Sequence, residues 1–182
     1  MENSFLSKEE LKTLGLKSYG TNVLISKKAS LYNVGQISIG NDVRIDDFCI
    51  LSGKITLGNY IHISAGTYLY GADVGIEMKD YSGISSRSAV YAISDDFSGN
   101  YMTNSMVNTE YRNVLEKCVT IEKYAIVGTN VTILPGANIA EGCAIGAMSL
   151  VNKETEPWGI YVGIPCIRIK ERSKELLKYI DK

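Results

Sequence analysis

Residues 119–151 read VTIEKYAIVGTNVTILPGANIAEGCAIGAMSLV, and aliphatic side chains fall six apart in that stretch, at Ile121, Val127, Ile133, Ile139, Ile145 and Val151. The same spacing runs earlier through Ile39, Ile45, Leu51, Leu57, Ile63 and Leu69. Ile, Leu and Val make up 47 of the 182 residues, so twelve such positions in register would arise by chance on the order of once in ten million, and the period is structural. A second set of small or β-branched residues lies two positions before these: Val43, Cys49, Ile55, Ile61 and Thr67, then Val119, Ala125, Val131, Ala137, Cys143 and Ser149. Two inward side chains, two residues apart, inside a six-residue repeat describe a short strand followed by a turn. A helical period of 3.6 does not generate that pattern, nor does a long strand with a crossover. A parallel β-helix does, each coil burying its interior against the next.

Working outward, Met78, Ile84 and Val90 continue the period after a three-residue insertion around Gly71 to Gly75, and Ile25 and Leu31 precede the first run. With three six-residue sides to a coil, Leu57, Met78, Ile121 and Ile139 stack on one face, and Ile63, Ile84, Val127 and Ile145 on the next. From Val90 to Ile121 the count advances 31 residues where six were due. This predicts a loop of about 25 residues leaving the coil over 94–118, long enough to imply a use. It holds Asp95, Asp96, Phe97, Tyr101, Met102, Met106, Tyr111 and Arg112, a mixture suited to packing on a neighbour and to touching a polar ligand. Gly40, Gly58, Gly128 and Gly146 each follow an aliphatic position directly, where a corner calls for a backbone shape that other residues resist. Ser7 with Glu10 forms a capping box for a short N-terminal helix ending near Gly15. Leu176, Leu177 and Ile180 share one face of a second short helix over 173–180. The expected organisation is one all-β domain: an N-terminal helical segment 1–22, the β-helix 23–165 with its loop, and a C-terminal segment 166–182.

Composition narrows the function classes. The chain of 20.0 kDa carries 19 Lys and Arg against 20 Asp and Glu, a net charge of -1, with mean hydropathy near zero. Its bulk charge offers no attraction to phosphate backbones or anionic membranes. No apolar stretch approaches the roughly 18 residues of a membrane span, and Glu2, Glu9 and Glu10 stand where an export signal would be basic and then apolar. Cytoplasmic residence is expected. Cys49, Cys118, Cys143 and Cys166 form no CxxC pair and sit among apolar neighbours, as buried reduced thiols do.

Together the repeat, the loop, IVGTNVTILPGANIAEGCAIGAMSLVNK (126–153), the closing WGIYVGIPCIRIKER (158–172) and SDDFSGNYMTN (94–104) resemble the hexapeptide-repeat acyltransferases, in particular those acetylating sugars and nucleotide-linked sugars for surface polysaccharides. The resemblance spans roughly Ile37 to Arg172. It implies a left-handed β-helix, against the usual right-handed crossover, a homotrimer with active sites between subunits, and acetyl-CoA as donor with no metal.

In the galactoside and xenobiotic branches a catalytic histidine opens the loop, five residues after the last aliphatic position of its coil. The same count from Val90 reaches Asp95. A carboxylate of ordinary pKa about 3.9 is a poor base for a sugar hydroxyl, whereas an amine needs only to lose its ammonium proton near neutrality. The departure favours an amino-sugar acceptor, with Asp95 or Asp96 holding its ammonium; loop-turn aspartates capping backbone amides are the alternative. His62, the single histidine, lies between two inward positions and points outward. Imidazole, of ordinary pKa about 6.5, is the side chain best matched to a neutral-pH base, and an exposed or interface-packed ring is the alternative. For the donor, the resemblance sets the pantetheine arm beside Gly128, Thr129, Ala147 and Met148, and the CoA phosphates near Asn152, Lys153, Arg168 and Lys170, a cluster that a solvated basic surface also explains.

The expected function is therefore acetyl transfer from acetyl-CoA to the amine of a nucleotide-linked deoxyamino sugar. The alternative is O-acetylation of a sugar or oligosaccharide hydroxyl with His62 as base. A zinc enzyme on the same coil needs several histidines, and one is present; a silent scaffold remains a further class, to which the Gly-Ile-Pro ending and basic cluster are poorly suited.

Overall fold

The computed structural model describes residues 4–180. Glu2 and the ends of the expected terminal segments, 1–3 and 181–182, lie outside the described residues. The chain is a mostly β solenoid of about seven turns with few helices. One face is built from parallel strands Val23–Ile25, Val43–Ile45, Ile61–Ile63, Gly83–Ile84, Ile126–Val127, Ala144–Ile145 and Gly159–Gly163, the last turning back antiparallel as Cys166–Glu171. The second carries Ser30–Tyr32, Ala89–Tyr91, Thr132–Ile133 and Leu150–Val151, and the third Ser18–Tyr19, Ile37–Ile39 and Val119–Ile121. Strands Ile50–Leu57 and Tyr68–Met78 run from the second face into the third without a break. The predicted columns are present as register: Leu57 opposes Met78, Met78 opposes Ile121, and Ile121 bridges Ile139. On the first face Ile63, Ile84, Val127 and Ile145 follow one another likewise.

None of the inward positions named from the two six-residue runs is more than 4% exposed. Leu31, in the first rung of the second face with no coil before it, stays half-buried. Inward hydroxyls are satisfied locally: Ser88 Oγ donates to the Gly128 carbonyl at 2.8 Å and accepts from the Val131 N–H, and Thr67 Oγ1 donates to the Ser85 carbonyl. The insertion at Gly71 to Gly75 is a register shift, Gly53 opposing Ala72 while Ile55 opposes Ile76. After Val90, Ile93–Ser94 pairs antiparallel with Leu115–Glu116, and the stretch between them holds one 3-10 turn, Thr109–Tyr111.

Four sequence expectations meet the structure at the corners and ends. Ser7 and Glu10 do form the capping box of the helix Lys8–Thr13. The C-terminal helix is a 3-10 turn, Glu175–Tyr179, too short to support a regular α-helix, with Leu176, Leu177 and Ile180 half-buried. The corner glycines need correction. Gly40, Gly58, Gly128 and Gly146 do not adopt positive φ; they are required because the next coil lies against them, a Cβ on Gly128 standing 2.7 Å from the Ala147 amide nitrogen and one on Gly40 running into the Gly58 carbonyl oxygen. Left-handed backbone falls on other residues, Asp42, Tyr60, Tyr81, Tyr124 and Gly142 at one corner and Phe48, Gly66, Arg87, Asn130 and Met148 at another. Finally, Cys118 is exposed while Cys49, Cys143 and Cys166 are buried, because Cys118 sits one residue before the inward Val119, on the outward side of the strand.

Gly40→Ala is expected to destabilise the fold by about 1–3 kcal/mol through overpacking against backbone, whereas Gly83→Ala, whose Cβ would meet the His62 carbonyl at 3.7 Å, leaves the melting temperature near that of the wild type. Thermal denaturation of the two variants checks the contrast. In the native protein, a thiol reagent should label the exposed Cys118 alone, the buried Cys49, Cys143 and Cys166 reacting only on unfolding; mass spectrometry of the labelled peptides reads this.

Candidate active site

The outward column of the first face runs Leu24, Arg44, His62, Gly83, Ile126 and Ala144. Its parallel register places Arg44 beside His62, and Asp46, two residues on, reaches both. His62 Nε2 lies 2.8 Å from Asp46 Oδ2, and Arg44 Nε donates to Asp46 Oδ1 at 2.7 Å. Burial works to raise the Asp46 pKa, but the hydrogen bonds from Arg44 and His62 outweigh it and hold the carboxyl below its ordinary value. An ionised Asp46 accepts the Nε2 proton, which leaves Nδ1 of His62 as the acceptor nitrogen. His62 is half exposed at 52% of its side chain.

His62 lines a cavity of about 420 Å³. One wall is a ladder of rings, Tyr60 on Tyr81 at 4.6 Å and Tyr81 on Tyr124 at 5.6 Å, and the ladder continues past the cavity to the buried Trp158, 6.3 Å from Tyr124. The opposite wall is the C-terminal turn with Leu176 and Tyr179. Arg172 joins the two, its Nη1 donating to the carbonyls of Tyr124, Gly142 and Cys143.

Asp95 lines a different and larger cavity, of about 850 Å³, between the loop and the second face. Its Oδ2 accepts the Asn104 N–H at 3.2 Å, so one carboxylate oxygen closes the loop while the other has no hydrogen-bond partner among the described residues. Asp96 is spent on the loop itself: Oδ1 accepts from the Ser98 N–H and Oδ2 from Asn113 Nδ2. Hydrogen bonding at Ser98, followed by Asn113, lowers its pKa. Asp96 thus has the contacts of the turn-capping alternative, and within one chain His62 and Asp95 face separate cavities.

Of the positions matched to the donor, Gly128 and Thr129 open a corner whose next rung is Ala147 and Met148: Met148 N–H donates to the Thr129 carbonyl. Ala147 and Met148 are exposed there. The Thr129 hydroxyl is already engaged, donating to the Ser86 carbonyl at 2.7 Å. Asn152, Lys153 and Lys170 are exposed. Arg168 pairs with Glu171 at 2.7 Å and with Glu156 at 3.6 Å, so an anion there would compete with two carboxylates. Sequence reading missed Asp46, Arg44 and Arg172. The first two were accessible to it, since Arg44 precedes His62 by one 18-residue coil; Arg172 was not, because its carbonyl partners carry no side-chain signature.

No family model matches the chain. It is 44% identical over 178 residues to a dTDP-4-amino-4,6-dideoxy-D-glucose acyltransferase of Escherichia coli, covering 96% of this chain and 92% of that protein. It also superimposes on AntD, an N-acyltransferase from Bacillus cereus. With a variant of AntD in complex with dTDP-4-amino-4,6-dideoxyglucose and coenzyme A, the TM-score is 0.97 at 52% identity, covering 100% of this chain and 97% of the other. With AntD in complex with dTDP and 3-hydroxybutyryl-CoA it is 0.96 at 54% identity, covering 98% and 95%.

Proposed function

Since the chain belongs to the dTDP-amino-sugar acyltransferases, a hexapeptide-repeat β-helix family, we propose that it transfers an acetyl group from acetyl-CoA to the amino group of a dTDP-linked deoxyamino sugar. The observation that carries this is the likeness over nearly the whole chain to an N-acyltransferase whose crystal complexes hold the amino sugar nucleotide and coenzyme A. The coil of this reading is left-handed and the active unit a homotrimer, a cytoplasmic enzyme using the chain as one domain. No helix among the described residues is long and apolar enough to cross a membrane.

The amine attacks the thioester carbonyl directly, its proton passes to a base, and coenzyme A leaves as the thiolate, with no covalent enzyme intermediate. Asp95 is the group for the substrate ammonium, because its cavity is large enough for a nucleotide sugar and one carboxylate oxygen is uncommitted. The pantetheine arm follows the corner of Gly128, Thr129, Ala147 and Met148, where small side chains admit an extended ligand, and a backbone N–H there stabilises the developing oxyanion. Asn152, Lys153 and Lys170 meet the CoA phosphates; Arg168 does so only by leaving Glu156 or Glu171. In a trimer the loop of one subunit lies over the neighbour's first face, bringing Asp95 towards a neighbouring His62. Asp96 serves the loop.

A second reading has its own observation. The imidazole of His62, oriented by Asp46, has the arrangement that activates a hydroxyl, as O-acetylation requires. Thiol release from acetyl-CoA, measured against dTDP-linked amino sugars and the matching hydroxyl sugars, separates the two; activity on hydroxyl sugars alone would overturn N-acetylation.

For an amine acceptor, His62→Asn should lower kcat less than the usual 10²- to 10⁴-fold cost of losing a general base, with partial rescue as pH rises, because the free amine is itself nucleophilic. Asp95→Asn should chiefly raise the acceptor KM. Profiles of kcat and KM from about pH 6 to 9 check both; a severe loss in His62→Asn with no recovery at high pH is the hydroxyl signature.

A further inference from the structure

At the corner between the first and second faces the backbone donors can be accounted for one by one. From Gly128 to Val131, the Gly128 N–H donates to the Ile145 carbonyl, that of Asn130 to the Ser86 carbonyl and that of Val131 to Ser88 Oγ. The Thr129 N–H has no partner among the described residues, although Thr129 is half-buried and backbone N–H groups away from water are nearly always paired. Its carbonyl accepts from the Met148 N–H and its hydroxyl donates to the Ser86 carbonyl. The residue thus keeps one open group, a donor.

The direction of that donor is set from inside the coil. The Gly128 carbonyl and the Thr129 N–H belong to one trans peptide plane, in which the two bonds point opposite ways. Ser88 is buried, and its Oγ donates to the Gly128 carbonyl at 2.8 Å while accepting the Val131 N–H at 3.1 Å. With the carbonyl drawn into the core, the Thr129 N–H faces out, along the corner assigned above to the pantetheine arm. Other coils are held less firmly. In the same column Cys49 Sγ and Thr67 Oγ1 reach the Ser64 and Ser85 carbonyls at 3.2 Å each, and neither accepts a backbone N–H among the described residues. One coil further on, the column holds Val131, which has no hydroxyl to offer.

The first coil shows what this corner position receives. Lys27 stands there as Thr129 does in its own coil, and the Lys27 N–H donates to the Ser4 carbonyl at 2.9 Å. Residues 4–6 cross that corner as an extended segment, Phe5 bridging Ser26 and the Leu6 N–H donating to the Ile25 carbonyl. An outward N–H at this position therefore takes a carbonyl oxygen carried past the corner by an extended chain. An acyl group on a pantetheine arm is such a carbonyl.

We propose that Ser88 is a positioning residue for acyl transfer: by holding the Gly128 carbonyl inside the coil, its hydroxyl aims the Thr129 N–H at the thioester oxygen. This rests on the acyl-CoA reading above, and it identifies which N–H meets the oxyanion and which side chain orients it. As the acceptor nitrogen bonds to the thioester carbon, the carbonyl π pair moves onto the oxygen, where the Thr129 N–H meets it. The pair returns as the C–S bond breaks, coenzyme A leaves as the thiolate, and the ammonium proton passes to the base. A donor oriented before the charge develops needs no reorganisation when it does. Coenzyme A itself lacks that oxygen and makes no use of this N–H.

Ser88→Val and Ser88→Thr separate the hydroxyl from the bulk that carries it, since the buried Thr67 shows that threonine is accommodated in this column. In thiol release with a dTDP-linked amino sugar, Ser88→Val should lower kcat about 10- to 100-fold, short of the 10²- to 10³-fold cost of deleting an oxyanion donor outright. The acetyl-CoA KM and the calorimetric affinity for coenzyme A should stay unchanged, the signature of an interaction made in the transition state, and Ser88→Thr should recover most of the loss. In the wild type, NMR of isotope-labelled threonine should show the Thr129 amide resonance shifting further with acetyl-CoA than with coenzyme A, a measurement that stands even if Ser88→Val fails to fold. Equal shifts with the two ligands overturn the proposal, as does a Ser88→Thr enzyme no better than Ser88→Val. So does a loss of coenzyme A affinity in step with kcat, because the hydroxyl then only keeps the corner folded. A wild type that releases no thiol with any sugar acceptor removes the function reading and this inference with it, whereas normal wild-type turnover matched by a folded Ser88→Val enzyme removes this inference alone.

Discussion

Everything in this molecule depends on one constraint: each coil must return to the same place above the last, so that backbone groups pair rung on rung at about 4.8 Å. Pairing of this kind leaves no freedom in side length. A six-residue side gives one inward pair and one corner, and any insertion must leave the stack and return in register. The chain does this twice. The small insertion at Gly71 to Gly75 is absorbed as a shift between Gly53 and Ile55; the longer one is closed by the antiparallel pairing of Ile93–Ser94 with Leu115–Glu116 before Val119 resumes opposite Ile76. The interior then needs only side chains that fill a narrow prism, which is why small Ala125, Ala137 and Cys143 alternate with Ile and Val.

Corners bear the cost of the stacking. Residues such as Tyr60, Tyr81 and Tyr124 hold left-handed backbone, unfavourable for a large side chain by roughly 1–2 kcal/mol each, and ring stacking along the same corner offsets it by about 0.5–1.5 kcal/mol per pair. A neighbouring row does similar work with polar groups. Asn41 Oδ1 accepts the Thr21 N–H, Asn59 Oδ1 the Asn41 N–H, and Asp80 Oδ1 the Asn59 N–H, each at 2.8 Å. Gly40 belongs to this row in a direct sense: a Cβ there would stand 2.8 Å from Asn59 Oδ1. The glycine and the amide are one device.

The parts legible in the sequence are those governed by period. Stacked columns, the small insertion and the capping box of Ser7 and Glu10 could all be counted, because each is a relation between positions along the chain. Corner conformation could not be counted, since Gly40, Gly58, Gly128 and Gly146 answer to close approach rather than positive φ, while the left-handed corner positions are shared by tyrosines and by other glycines such as Gly66 and Gly142. The same applies at the site. His62 and Asp95 could be singled out as a lone imidazole and a carboxylate five residues after Val90, candidates still, but the Asp46 contact requires knowing that outward side chains one coil apart are neighbours. Cys118 was misread because apolar neighbours in sequence do not say which way a strand residue points.

A rigid solenoid also explains how the chemistry is divided. Outward side chains on its faces are set one above another by the rungs, so Arg44 and His62 stand side by side and Asp46 reaches both. The excursion is different: its own hydrogen bonds, from Asp96 to Ser98 and Asn113 and from Asp95 to Asn104, set its shape, and nothing in the coil count restricts which residues it carries. The corners can therefore stay constant while the residues of the excursion vary. Asp95, the carboxylate proposed for the acceptor, and its neighbour Asp96 thus lie in the one region whose residues the repeat does not set.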